Sequence, residues 1–298
     1  MQEPCTMTDE TSPSARIIVV ANEKGGSGKS TVAVNLAIGL IRAGNSVATI
    51  DLDTRQRSLT HFIDNRLMWA RETNLDLPVP THLCFDEEGE FQTGNEVAGR
   101  EAFGSAVETF ASDHRYVIID TPGHMHYLGA MAHSLGDTLV TPLNDSFVDL
   151  EVLGSVDPKT FAIAAPGHYV DVVEAGRRTR ITGELDWIVL RNRLSTTKNR
   201  NKELVGTALA HLAEANGFRV VDGLAERTIF REFYPRGLTA MDELTKATLG
   251  VRPTMSHLTA ALEMQSLLRA VMRLPASAPE RDEETSVEDT AGQHVAAA

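Results

Sequence analysis

Short apolar runs alternate with longer amphipathic stretches along most of the chain. The runs at 16–21, 46–51, 115–120, 137–141, 185–190 and 218–221 are near-continuous, the pattern of strands buried on both faces. Between them, apolar residues recur at helical spacing over 29–43, 56–72, 96–112, 199–216 and 255–273. Strands and helices in this alternation predict an α/β fold: a doubly wound, mostly parallel sheet with helices on both faces. Gly44 closes the first helix as a C-terminal cap. Two segments, 73–95 and 164–183, read as insertions or loops.

The ends fall outside this pattern. Residues 1–15 are polar, and residues 275–298 are rich in Pro, Ala, Ser, Glu and Asp. Neither end can repay its ordering entropy, so both are expected to be disordered, leaving 16–274 as one folded domain. The two ends contribute −3 and −5 to the net charge of −13, so overall acidity does not exclude a basic patch on the folded part. The 2 cysteines, Cys5 and Cys84, supply neither a disulfide framework nor a thiolate cluster, which points to a reduced, cytoplasmic protein. No apolar run is long enough for a secretory leader or a membrane span. In the 255–274 helix, Met255, Leu258, Ala261, Leu262, Leu267, Leu268, Val271 and Leu274 form an apolar face. An acidic tail follows it, which argues against an anionic membrane and for packing on the core or its edge.

Three strand ends carry the chemistry. After the run 16–21 comes Lys24-Gly-Gly-Ser-Gly-Lys-Ser-Thr31, a glycine-rich turn opening a helix. Such a turn is a phosphate cradle: backbone N–H groups and the helix N-terminus face an anion, and glycines allow its close approach. Gly25, Gly26, Ser27, Gly28, Lys29, Ser30 and Thr31 are the expected nucleotide-binding residues, with Lys29 reaching the β/γ-phosphates and the Ser30 hydroxyl ligating Mg²⁺. The usual P-loop begins with a glycine; here that position is Glu23, and a second lysine, Lys24, follows it. The run ending in Asp51-Leu52-Asp53 sets two acids at a strand end, where like charges need a cation or a water to orient. Tyr116-Val-Ile-Ile-Asp120 followed by Thr-Pro-Gly123 has the form of a Walker B strand, with Asp120 beside the metal. His124, His126 and His133 lack the spacing of a zinc site and read as local packing.

Together these segments resemble the deviant Walker A ATPases of the ParA/MinD family. Asn144–Asp149, Gly154–Pro158, Asp186–Leu194 and Phe230–Leu238 are similar to the MipZ division-plane regulators within it. The resemblance implies an ATP- and Mg²⁺-dependent ATPase in which two monomers close face to face over their nucleotides. Lys24 then matches the signature lysine that contacts the partner's phosphates. Asp53 matches the residue that orients the attacking water, Asp51 a neighbour of the Mg²⁺ shell, and Asn192 the residue that hydrogen-bonds adenine. Lys24, Lys29 and Asp53 are thus the expected catalytic set, and Ser30, Asp51 and Asp120 the expected metal set.

The stretch Arg191, Arg193, Lys198, Arg200, Lys202 holds no acid before Glu203. With Arg231 and Arg236 it could form a positive stripe for non-specific, salt-dependent DNA binding. The resemblance further implies FtsZ and ParB as partners, a nucleoid- and pole-associated location, and slow hydrolysis that returns the dimer to monomers. The alternative is a ParA-type chromosome or plasmid partitioning ATPase. An electron-transfer ATPase of the nitrogenase iron-protein type would need cluster thiolates, which Cys5 and Cys84 do not provide. An autophosphorylating tyrosine kinase would need a tyrosine-rich tail, and residues after 274 contain none.

Overall fold

A computed structural model describes residues 15–85, 95–124, 126–157, 159–160, 162–180, 183–197 and 200–273. The expectations for the two ends concern residues that lie almost wholly outside this range. The strands are β1 (Arg16–Val20), β2 (Val47–Asp51), β3 (Thr81–Cys84), β4 (Tyr116–Asp120), β5 (Thr138–Asn144), β6 (Gly154–Val156), β7 (Ile163–Pro166), β8 (Asp186–Asn192) and β9 (Arg219–Val221). The helices are α1 (Lys29–Arg42), α2 (Ser58–Thr73), α3 (Glu96–Asp113), α4 (Tyr127–Leu135), α5 (Phe147–Leu150), α6 (His168–Thr179), α7 (Arg200–Asn216), α8 (Ile229–Phe233), α9 (Lys246–Leu249) and α10 (Met255–Met272).

Seven strands form one parallel sheet in the order β3-β2-β4-β1-β5-β8-β9, while β6 and β7 pair as a separate antiparallel hairpin. Side chains alternate across the sheet, and both faces are apolar. Ile18, Val20, Ile118, Ile188 and Leu190 face the layer of α1, α2 and α10. Val19, Val117, Ile119, Trp187 and Val189 face the layer of α3, α4, α6 and α7. Burial on both faces explains why the strand runs are continuously apolar. Chain order reverses at β1, which has β4 on one side and β5 on the other, so the crevice at its carboxyl end is where an α/β sheet takes its ligand.

The six strands and five helices expected from the pattern all form. The segment 73–95 is not simply a loop. It contributes β3, an edge strand that pairs with β2 and whose Thr-His-Leu-Cys sequence has no apolar run to reveal it; residues 86–94 lie outside the described range. The segment 164–183 likewise carries β7 and α6, a helix that buries Tyr169, Val170 and Val173. α10 packs on the core as expected, through only part of the expected face: Leu267, Leu268 and Val271 are buried. His257, Ala260 and Met264 are buried too, whereas Met255, Leu258 and Leu262 are exposed. The buried ion pair Arg66–Asp242 (2.6 Å) ties α2 to the segment before α9. Gly237 (φ 58°) permits that contact, because a Cβ there would lie 2.1 Å from the Arg66 backbone. Among the described residues no helix is long and apolar enough to cross a membrane.

Candidate functional site

The glycine-rich turn joins β1 to α1 and is fixed at both ends. Asn22 donates from Nδ2 to the Pro142 carbonyl on β5 (2.8 Å) and accepts at Oδ1 from the Lys24 amide (2.9 Å). Gly26 and Gly28 adopt φ of 74° and 95°, the left-handed region that glycine enters at little cost. Gly28 is also the N-cap of α1, and a Cβ on it would lie 2.3 Å from the Asn192 amide nitrogen. That nitrogen donates to the Ser27 carbonyl (2.8 Å), so the end of β8 is locked to the turn. With no acid in the first turn of α1, its N-terminus presents uncompensated N–H groups.

Lys29 is buried in that first turn, and its ammonium donates to the Lys24 carbonyl across the loop (3.1 Å). Burial lowers its pKa, opposed by the nearby charges of Asp120 and Asp53. Lys24 extends the other way, its ammonium donating to the Val148 carbonyl on α5. Glu23, in the position of the usual glycine, lies 3.8 Å from the His168 ring.

Asp51 and Asp120 end adjacent strands in register with one another. Asp51 is satisfied by the protein: Oδ1 accepts from the Asp53 amide (3.0 Å), and Oδ2 from the amide and hydroxyl of Thr60 (both 2.9 Å). It caps the first turn of α2 from outside the helix, where the N-cap residue Arg57 (φ 47°) supplies no side-chain cap. Asp53 accepts at Oδ1 from the Gln56 amide (3.0 Å). Asp120 is different. It is fully buried, the Ser30 hydroxyl lies beside it, and its Oδ1 has no hydrogen-bond partner. Burial, reinforced by Asp51, pushes its pKa up to about 8 against the opposing pull of Ser30 and Lys29. An orphaned carboxylate oxygen next to a hydroxyl is a hard-oxygen donor set that fits Mg²⁺. Asp51, with three protein donors, needs no metal to justify its burial.

Gly25, Lys29, Ser30, Thr31, Asp53 and Gly123 line a cavity of about 640 Å³. It continues into a second hollow of about 330 Å³ between Asn192, Phe62, Phe230 and Tyr234. A polar phosphate-sized end and an aromatic, base-sized end suit a purine nucleotide. Arg55 and Phe62 are wall residues without a motif to announce them; Tyr234 comes from the segment 230–238, and His124, expected as local packing, also lies on this wall. Of the other histidines, His133 is a packing group. Its ring contacts the Gly129 carbonyl (2.6 Å) and the Tyr169 hydroxyl (2.9 Å), and burial lowers its pKa. No cluster of metal-binding side chains of the His, Cys and carboxylate type occurs among the described residues.

Among the described residues, the basic segment divides into inward-turned and exposed groups. Arg191 turns inward to Asp145 (Nε to Oδ1, 2.9 Å) and the Lys202 carbonyl, and Lys202 donates to the Ser195 carbonyl (3.0 Å). Arg193 is exposed in a left-handed conformation (φ 53°) at the rim of both hollows, and Arg200 is exposed. Arg231 faces Glu226 (3.4 Å), and Arg236 stacks on Trp69 and donates to the Leu249 carbonyl (2.8 Å). Lys198 lies outside the described residues.

A parallel sheet with a phosphate turn after its central strand and a carboxylate on the neighbouring strand defines a P-loop nucleotide-binding protein. Within that class the chain belongs to the ATPase MipZ family, whose model matches residues 16–276. It is 28% identical over 163 residues to the septum site-determining protein MinD of Helicobacter pylori, covering 49% of this chain and 60% of that one. It is 28% identical over 180 residues to the chromosome partitioning protein ParA of Myxococcus xanthus, covering 54% and 60%. The chain thus matches about three fifths of the length of these curated relatives. An McdA variant of Cyanothece solved with ATP shares the fold (TM-score 0.59, 15% identity, 89% of this chain and 98% of that one).

Proposed function

We propose that the protein is a Mg²⁺-dependent ATPase whose ATP-bound dimer positions the division plane by inhibiting FtsZ polymerisation. The observation that carries the nucleotide chemistry is a left-handed glycine turn and Lys29 lining one cavity, with the orphaned Asp120 oxygen buried beside the Ser30 hydroxyl of that lining. The family match over 16–276 carries the division role. ATP enters with its phosphates against Gly25–Thr31 and its base between Asn192 and the aromatic wall. Ser30 and Asp120 would hold Mg²⁺, which would supply charge neutralisation for the phosphates. Lys29 binds the phosphates, and Asp53 orients the attacking water through the carboxylate oxygen that Gln56 leaves unused.

Lys24 is the switch. In the monomer its ammonium rests on the Val148 carbonyl, beside the exposed Val148 side chain. In the dimer it leaves that perch for the partner's triphosphate, because phosphates buried at a shared interface require added cations. Dimerisation and nucleotide state then become one event, and hydrolysis returns the monomer. The closed dimer binds chromosomal DNA through Arg193, Arg200 and their symmetry mates, and binds ParB. The test is sedimentation of FtsZ polymer with this protein, with and without ATP. Loss of polymer only with ATP is expected. Intact polymer together with ATP-dependent DNA retention would instead favour a ParA-type partitioning ATPase.

A further inference from the structure

A line of polar side chains runs from the sheet edge into the candidate site. His82 lies on β3 opposite Thr49 in the strand register, so its ring stands beside the Thr49 side chain. The Thr49 hydroxyl and His82 Nδ1 are 2.9 Å apart, and His82 Nε2 and the Thr60 hydroxyl are 3.0 Å apart. Thr60 in turn donates its hydroxyl proton to Asp51 Oδ2 (2.9 Å).

The proton directions follow by elimination. A hydroxyl has one proton, and that of Thr60 is committed to a carboxylate, which can only accept. Thr60 must therefore accept from His82, so Nε2 carries the ring proton. With burial holding the ring neutral, Nδ1 accepts from Thr49. All the bonds point toward Asp51, and each strengthens the next. Asp51 holds the Asp53 amide with Oδ1 and the third residue of α2 with Oδ2. The loop 51–58, which carries Asp53, is pinned at both ends by a carboxylate whose own orientation is set from β3.

We infer that His82 is a positioning residue for ATP turnover, fixing Asp53 through Thr60 and Asp51 without touching the nucleotide. This rests on the proposed role of Asp53. It predicts that loosening the relay slows the chemical step and leaves nucleotide binding intact, because Lys29 and the glycine turn do not depend on β3.

The test uses the full chain with His82→Ala, His82→Gln, Thr60→Val and Thr60→Ser. Hydrogen exchange of residues 51–60 is measured without nucleotide, and steady-state kinetics with MgATP. His82→Ala should speed exchange in 51–60 selectively and lower kcat about tenfold, with KM within about twofold. Thr60→Val should match it, the double variant should be no worse than either single one, and His82→Gln and Thr60→Ser should recover most of the loss. Unchanged exchange in 51–60, KM rising in step with kcat loss, or additive effects would overturn the inference. If the wild-type protein turns over no ATP, the ATPase reading fails, and the exchange data still decide whether the relay holds the loop. Should His82→Ala not fold, the Gln and Thr60 variants supply the same comparison.

Discussion

Asp186 and Asp137 at the amino edge of the sheet, and Asp51 and Asp120 at its carboxyl edge, are treated in opposite ways. The first pair is neutralised. Asp186 at the start of β8 is met by Arg16, Arg219 and Arg273, and Asp137, just before β5, accepts from the Ile17 amide and faces Arg180. At the carboxyl edge Asp120 has no arginine and one oxygen with no partner, while Asp51 is held only by neutral donors. Arginines that complete a carboxylate make structure. A buried carboxylate left incomplete costs stability in the empty protein and keeps a place for a cation.

Removing the incomplete acid should have the largest effect. Asp120→Asn should lower Mg²⁺-dependent ATP turnover by about a hundredfold or more, measured as phosphate release. It should also alter stability in a way that runs against a simple damage model. With its folded pKa near 8 and a usual value of 3.8, Asp120 favours folding when protonated. Its contribution is fully present below about pH 4 and is lost as pH rises toward 8. Melting of ligand-free wild-type protein between pH 5 and pH 9 should show that decline, and Asp120→Asn should flatten it.

Asp51→Asn comes next. Its single carboxamide oxygen can keep the two Thr60 bonds or the Asp53 bond, but not all three, since Nδ2 only donates. The bond lost, with a donor left facing a donor, should cost about 1–3 kcal/mol in denaturant unfolding. Turnover should fall too, while Mg²⁺ affinity changes less than in Asp120→Asn.

The site was legible where its residues are consecutive. The turn 24–31 and the acids at 51, 53 and 120 follow apolar runs, so sequence order alone puts them at strand ends. What was hidden depends on strands brought together from afar. His82 matters because β3 pairs with β2, and β3 is a short polar edge strand without a periodic signal. Arg191 reads as a free cation beside its basic neighbours until β5 and β8 pair, which brings it within reach of Asp145. On α10 the expected apolar face joined two stripes, and only the one with Leu267, Leu268 and Val271 is buried. Contact with Gly39 on α1, where Leu268 packs in the space a Cβ would fill, marks the buried one.

The amino edge gives the smallest expected effect and serves as the contrast. Burial opposes ionisation of Asp186, but the guanidinium groups of Arg219 and Arg273 outweigh it and hold the pKa below 3.8. Its stabilisation is therefore present above about pH 4 and lost as pH falls below that, the reverse of Asp120. Asp186→Asn should cost about 1 kcal/mol at neutral pH, since the pairs are partly exposed to solvent, and should leave ATP turnover unchanged.

The proposed function turns on whether the front lysine of the glycine turn serves the other subunit. Light scattering of wild type and Lys24→Ala with MgATP measures this directly, alongside ATP affinity. Wild-type mass should double with ATP, while Lys24→Ala should bind ATP and remain a monomer. A Lys24→Ala protein that dimerises with ATP as readily as wild type would contradict the trans role.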